Sequence, residues 1–198
     1  MYDSPLRDEQ AAATRERILS TLSDLLVTEN PALVSIPMVA KKAGVAVRTV
    51  YRHFPTKEEL FNAMFERATD LEGGAPPGSE SVNSIDDAAA IVRTMFERVG
   101  RNLPLHNAVR YLPEDRALRK ARFPRRQRLV ERALADSTEG MPPERARKVA
   151  AVVHLLTSSD ALLFMNELWG LTPEEAADAC SWAIRAVAEK ARRTKGAP

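Results

Sequence analysis

A single cysteine, Cys180, stands among the 198 residues of the chain, and that scarcity removes two classes at once. An intrachain disulfide framework needs a pair and a thiolate metal site needs several, so the chain is expected to work in a reducing, cytoplasmic compartment. Charge of one sign is also scarce. With 29 Lys and Arg against 27 Asp and Glu the formal net charge is only +2, so any attraction to nucleic acid must come from clustered basic groups and not from the total. Long apolar runs are missing too. The richest stretch, 149–170, is interrupted by His154, Ser158, Ser159, Asp160, Asn166 and Glu167, too many polar groups for a lipid-facing span. It is expected to be a buried core helix, and no membrane is expected as a partner. The opening MYDSPLRDEQ is polar and acidic where an export signal needs a basic start and an apolar run, so no export is expected. Catalytic patterns are equally thin: His53, His106 and His154 are scattered, with no metal-ligand spacing, phosphate-cradling loop or nucleophile elbow. No enzyme, metal or cofactor is indicated.

What remains is ordinary soluble globular usage, 44% hydrophobic and 28% charged residues, in a length that suits one or two domains. No segment alternates with the period of a strand and no internal repeat is visible, so the expected fold class is all-α. Residues 1–10 read as a mobile arm. Ile18, Leu19, Leu22, Leu25 and Leu26 then recur at helical spacing over about 14–29, and Asn30-Pro31 stops that helix. Ser35 can cap a short second helix that tolerates Pro37 in its first turn. Gly44 supplies a turn, a third short helix covers 47–53, and Thr56-Lys57-Glu58-Glu59 is a capping box opening a fourth helix, 57–71. The stretch 72–84, EGGAPPGSESVNS, reads as a linker. Beyond it helices are expected over 85–102, 105–112, 114–136 with a break or kink at Pro124, 142–169 and 173–193. Thr172-Pro173-Glu174-Glu175 marks the last start strongly.

The window 35–60, SIPMVAKKAGVAVRTVYRHFPTKEEL, carries the functional reading. A helix-turn-helix needs a small residue where its helices cross, a permissive turn, and apolar contacts locking the second helix onto the first. Ala40 and Gly44 meet the first two needs, and Val39, Val45, Val50 and Phe54 form the packing side. The opposite face presents Val47, Arg48, Thr49, Tyr51 and Arg52, a set that mixes phosphate donors with groups able to touch base edges.

The run AGVAVRTVYRHFPTKEEL closely resembles the DNA-binding signature of the TetR family of transcriptional regulators, and the likeness covers roughly residues 14–71. It implies a DNA-binding domain at 1–56, a connecting helix at 57–71, and a helical ligand-binding and dimerisation domain at 72–198. It also implies that Tyr51, His53 and Lys57 touch phosphates, with the amides at the start of the fourth helix beside them, while Arg48 and Thr49 read bases. Two departures stand out. Ala46 opens the recognition helix where the family usually has Ser or Thr, and the first helix lacks the usual alanine pair and ends in Asn30 instead of glycine. The implied partners are double-stranded operator DNA, a small-molecule effector and a second copy of the chain.

In the C-terminal part the helices 145–169 and 174–193 carry apolar faces, including Val149, Val152, Val153, Leu156, Leu163, Leu168, Trp182, Ile184 and Val187. One domain of this size has too little surface to cover them all, so a two-fold four-helix interface is expected to take part of them, the remainder being intrachain core. Candidate effector contacts are Met95, Phe96, Val99, Tyr111, Phe123, His154, Ser158 and Met165, with plain core packing the default reading for each. The basic run 116–132, RALRKARFPRRQRLVER, leaves three readings open: a solvated face, a mouth for an anionic effector, or an auxiliary DNA contact. Asp160 is expected to find an arginine partner from it. A helical adaptor without DNA binding remains the alternative; it predicts that Arg48, Tyr51 and Lys57 can be changed without consequence.

Overall fold

The computed structural model describes residues 5–71 and 82–194. Among these residues the chain forms helices α1 (Pro5–Thr28), α2 (Ile36–Ala43), α3 (Val47–His53), α4 (Lys57–Leu71), α5 (Ile85–Gly100), α6 (Leu103–Val109), α7 (Pro113–Thr138), α8 (Pro143–Leu156), α9 (Ser159–Trp169) and α10 (Pro173–Arg193). A 3₁₀ turn spans Pro31–Leu33, and no strand occurs among the described residues. The protein is all-α. Most of the linker expected over 72–84 lies outside the described residues.

The described residues divide into two compact units, 5–71 with 104–118 and 82–103 with 119–194. Within the first, Ile18, Leu19, Leu22 and Leu26 are fully buried, as their spacing requires, and share one apolar cluster with Val39, Ala40, Val50, Phe54, Leu60, Phe61 and Met64. Leu105, Val109 and Leu112 join the same cluster, so the division departs from a single cut at residue 72. Full burial of side chains such as Phe61 and Leu22 stabilises by about 1.5–3 kcal/mol each. α1 starts well before residue 14, and the arm expected over 1–10 is helical from Pro5. Proline suits a first turn and Glu9, Gln10, Ala11, Ala12 and Ala13 are strong helix formers. Residues 7–13 are all exposed, so propensity and not packing sustains this portion.

α2 and α3 form the expected turn. Gly44 adopts φ +66°, a left-handed conformation that suits glycine. The Val45 amide donates to the Ala40 carbonyl at 3.0 Å and the Gly44 amide to Lys41 at 3.3 Å, closing α2. Ser35 does sit at the N-cap of α2, but its hydroxyl makes no capping bond. Pro37 removes one of the amides that hydroxyl would accept from.

In the second unit, α5 and α10 run antiparallel. Arg185 pairs with Asp86 at 2.8 Å, the Ser181 hydroxyl donates to the Ala89 carbonyl at 3.3 Å, and Arg93 pairs with Asp178 and Glu174. At the far end a Cβ on Gly100 would meet Pro173 Cγ at 2.5 Å, so the absence of a side chain lets the helices close there. Both capping boxes are complete: Ser84 with Asp87 for α5, and Thr172 with Glu175 for α10. Cys180 is buried against Met165, and burial pushes its thiol up to about 11, which makes it unreactive.

Two expectations for this unit are corrected. The helix expected over 142–169 breaks after Leu156 and resumes at Ser159, with a bend of 57° between α8 and α9. The Ser158 hydroxyl accepts the Ala161 amide at 3.4 Å and donates to the Leu155 carbonyl at 2.7 Å, and such side-chain bonds compete with a continuous helix. Nor is 149–170 a buried core helix. Val153 and Leu163 are buried, but Val152, Leu155, Phe164, Leu168 and Trp169 are exposed. α7, by contrast, is continuous through Pro124. Residues 119–125 around that proline are exposed, so water can serve the carbonyl it leaves unbonded. No single helix among the described residues is long and apolar enough to cross a membrane.

Candidate nucleic-acid interface

The second helix of the turn motif is held by one side and presents the other. Val50 is fully buried and Phe54 nearly so, while Val47, Arg48, Tyr51 and Arg52 are exposed and Thr49 and His53 half-buried. Ala46 occupies the N-cap of α3 without a side-chain bond, as expected from its missing hydroxyl. Its carbonyl accepts the Thr49 amide at 2.8 Å, and burial of Val50 does the rest. α4 starts immediately afterwards, with the Glu59 amide donating to the Thr56 hydroxyl oxygen at 3.1 Å, which places Lys57 beside the end of α3.

The electrostatics of this face favour an anion. His53 Nε2 is buried with no hydrogen-bond partner among the described residues. Burial first, then the charges of Arg52 and Arg15, hold its pKa below the ordinary value, so the ring is neutral at neutral pH. The Arg15 guanidinium lies 5.2 Å over the Phe54 ring and brings α1 into the basic surface. Sequence reading missed Arg15; its signal is an arginine one turn ahead of Ile18 on a helix whose other face is apolar. Lys57 is already engaged: Nζ sits 2.8 Å from Glu114 Oε1 and 5.0 Å over the Phe61 ring. Nothing local predicts Glu114, because it comes from the start of α7.

The residues considered for an effector separate. Phe96 and Val99 are buried core of α5, and Met95 packs beside them half-buried. Phe123 and His154 stack with centroids 5.3 Å apart at 14°. Ser158 caps α9, and Met165 lies against Cys180. Tyr111 belongs to the first unit and is 80% exposed, with the Arg110 guanidinium over its ring. Asp160 does find an arginine from the basic run: Arg119 Nη1 lies 2.9 and 2.7 Å from its two oxygens.

Comparison with known proteins places the N-terminal geometry. Residues 18–64, from the apolar half of α1 to Met64, match the family model for bacterial regulatory proteins of the tetR family. A segment of 61 residues is 38% identical to nucleoid occlusion factor SlmA of Marinobacter nauticus, and one of 62 residues is 34% identical to that of Idiomarina loihiensis. These matches span 31% of this chain in both cases, and 31% and 32% of the two relatives. The fold likeness extends further. A transcriptional regulator from Rhodococcus sp. Rha1 superposes with a TM-score of 0.61 at 20% identity, over 90% of this chain and 97% of its own. A tetR family transcription regulator from Shewanella sp. PV-4 does so with 0.57 at 21%, over the same shares. The segment 18–64 thus matches the tetR family in sequence, and the helical arrangement as a whole is similar in fold to those two regulators.

Proposed function

We propose that the protein is a cytoplasmic, homodimeric transcriptional repressor, released from a pseudo-palindromic operator by a small molecule. The observation that carries the reading is α3, whose exposed Val47, Arg48, Tyr51 and Arg52 stand on a helix locked by buried Val50 and Phe54. Arg48 and Thr49 contact base edges, while Tyr51, His53 and Lys57 contact phosphates and fix the register. The labour divides into DNA binding by 1–56, connection by α4, and effector binding and dimerisation by 72–198. Each α3 covers only a few base pairs, so a useful site needs two copies. The exposed apolar face of α8, α9 and α10 is suited to supply that contact.

The matches to nucleoid occlusion factors span about a third of those proteins, so the reading rests on the helix-turn-helix and not on their role. Release would run through α4, whose tilt resets the spacing of the recognition helices, and through Glu114, which lies on Lys57. A phosphate approaching Lys57 must displace that carboxylate. The test is selection of a duplex from a random-sequence pool, then titration at several salt concentrations. The expected result is a two-fold symmetric site whose affinity falls steeply with salt as counterions are released. Failure to enrich any site, or salt-independent binding, rules the reading out.

A further inference from the structure

Around the end of α8, arginines outnumber the carboxylate they share. Phe123 and Arg126 lie three residues apart on α7, and His154 and Thr157 three apart at the close of α8, so each pair projects from one side of its helix. The first members stack ring on ring. One turn on, Arg126 Nη2 donates to the Thr157 carbonyl at 2.7 Å. That carbonyl ends α8 at the negative pole of its dipole, which orients the guanidinium without neutralising it. The nearby carboxylate, Asp160, is bridged through both oxygens by Arg119. Arg126 feels the opposing charge of Asp160 and, more weakly, the like charge of Arg122.

Arg126 differs from its neighbours in the basic run. Residues 119–125 are exposed, whereas Arg126 is half-buried, and desolvation is the leading cause that lowers its pKa. Asp160, held through both oxygens by Arg119, offsets the desolvation of Arg126 only in part, so a further anion on this guanidinium is stabilising. Phe123 is 47% exposed, so the stack leaves ring surface open beside that charge. His154 is held below its usual range by burial and then by Arg126, which makes the stack an uncharged apolar plate.

We infer that Arg126, Phe123 and His154 form a binding site for a small aromatic carboxylate, its acid group on the Arg126 guanidinium and its ring on the Phe123 and His154 stack. A planar fork suits a carboxylate better than an ammonium would. The assignment names the ligand class of the effector reading proposed above and rests on it only for the consequence at DNA.

The probe is 2-naphthoate, with uncharged 2-naphthamide as its isostere, titrated calorimetrically into the full chain. Naphthoate is expected to bind about tenfold or more tighter than the amide, the size of a charge-assisted hydrogen-bonded pair. Arg126→Met is expected to erase that difference while leaving the amide unchanged, and Phe123→Leu to weaken both. Thermal melting checks that the Met variant folds; if it does not, Arg126→Lys, which keeps the charge and loses the fork, is expected to cut naphthoate affinity several-fold. Equal affinities for acid and amide, no binding of naphthoate at millimolar concentration, or an Arg126→Met variant that loses only DNA binding would overturn the site. DNA release is scored separately on the selected duplex. Binding at Arg126 without release keeps the anion site and removes the effector reading; release by naphthoate that Arg126→Met leaves unchanged removes the site.

Discussion

The exposed side of α3 and the exposed apolar side chains of α9 and α10 both project from well-packed cores, yet their chemistry suits opposite partners. Around buried Val50, α3 presents Arg48, Arg52 and Tyr51, groups that water already solvates and that gain mainly from an anion held in register. Around buried Leu163 and Ile184, α9 and α10 present Phe164, Leu168, Trp169 and Trp182, the two tryptophans each 74% exposed. These side chains gain little from water, and each one covered adds about 1 to 2 kcal/mol. On the proposed reading the first set suits phosphate and the second suits another apolar surface.

The largest effect expected from this contrast is on the apolar face. Changing Leu168 and Trp182 together to Glu should convert the proposed dimer to monomer in sedimentation equilibrium and lower operator affinity about a hundredfold or more, because the two half-sites lose their linkage. A wild-type protein that sediments as a monomer would break the comparison at once. On the charged face, Arg48→Ala should reduce discrimination between the selected operator and random DNA by about 1–3 kcal/mol. Lys57→Ala should weaken both duplexes alike and reduce the salt slope by about one. If both variants lose affinity uniformly, Arg48 is a phosphate contact.

A smaller effect sharpens how Lys57 is held. Its Glu114 partner has 15% side-chain exposure while Lys57 itself has 44%, and Glu114 Oε2 is buried without a hydrogen-bond partner among the described residues. Glu114→Gln removes the competing charge. Affinity for DNA of any sequence should rise by no more than about fivefold, the limit set by a partly exposed ion pair, and Lys57→Ala should abolish the gain. A gain that survives Lys57→Ala would show that Glu114 acts on DNA by some other route.

The helix-turn-helix was readable because its determinants are local. Gly44, Ala40 and Val50 act on neighbours within a few residues, and Thr172 with Glu175 does the same at α10. The stripes of 145–169 and 174–193 were readable in part: Val153, Leu163 and Ile184 are core, Val152, Leu168 and Trp182 are exposed, and Val149, Leu156 and Val187 lie between. Periodicity shows that a face is apolar and not which surface covers it. The break at Thr157 and Ser158 was missed although Thr157, Ser158, Ser159 and Asp160 are all residues that compete for backbone groups. Contacts between distant segments, such as Glu114 on Lys57 and Arg126 on Thr157, leave no periodic trace. The Ser84 box escaped because its third position is Asp87, shorter than the Glu or Gln that the pattern looks for.

The smallest effect concerns protons and tests whether phosphate reaches the end of α3. In the free protein, burial and the nearby Arg52 and Arg15 charges keep the His53 pKa below its ordinary value. A phosphate against the unpartnered Nε2 would favour the imidazolium and raise that pKa in the complex. The complex then binds more protons than the free protein, so affinity should increase as pH falls through the interval between the two pKa values and be flat above the higher one. Each unit of separation between the two pKa values corresponds to about a tenfold change in affinity. Fluorescence anisotropy at constant ionic strength measures it. His53→Gln retains a hydrogen-bond donor without a titratable proton, so it should bind with the high-pH affinity of the wild type and show no slope. A slope that persists in His53→Gln would place the titrating group elsewhere and remove His53 from the phosphate contacts.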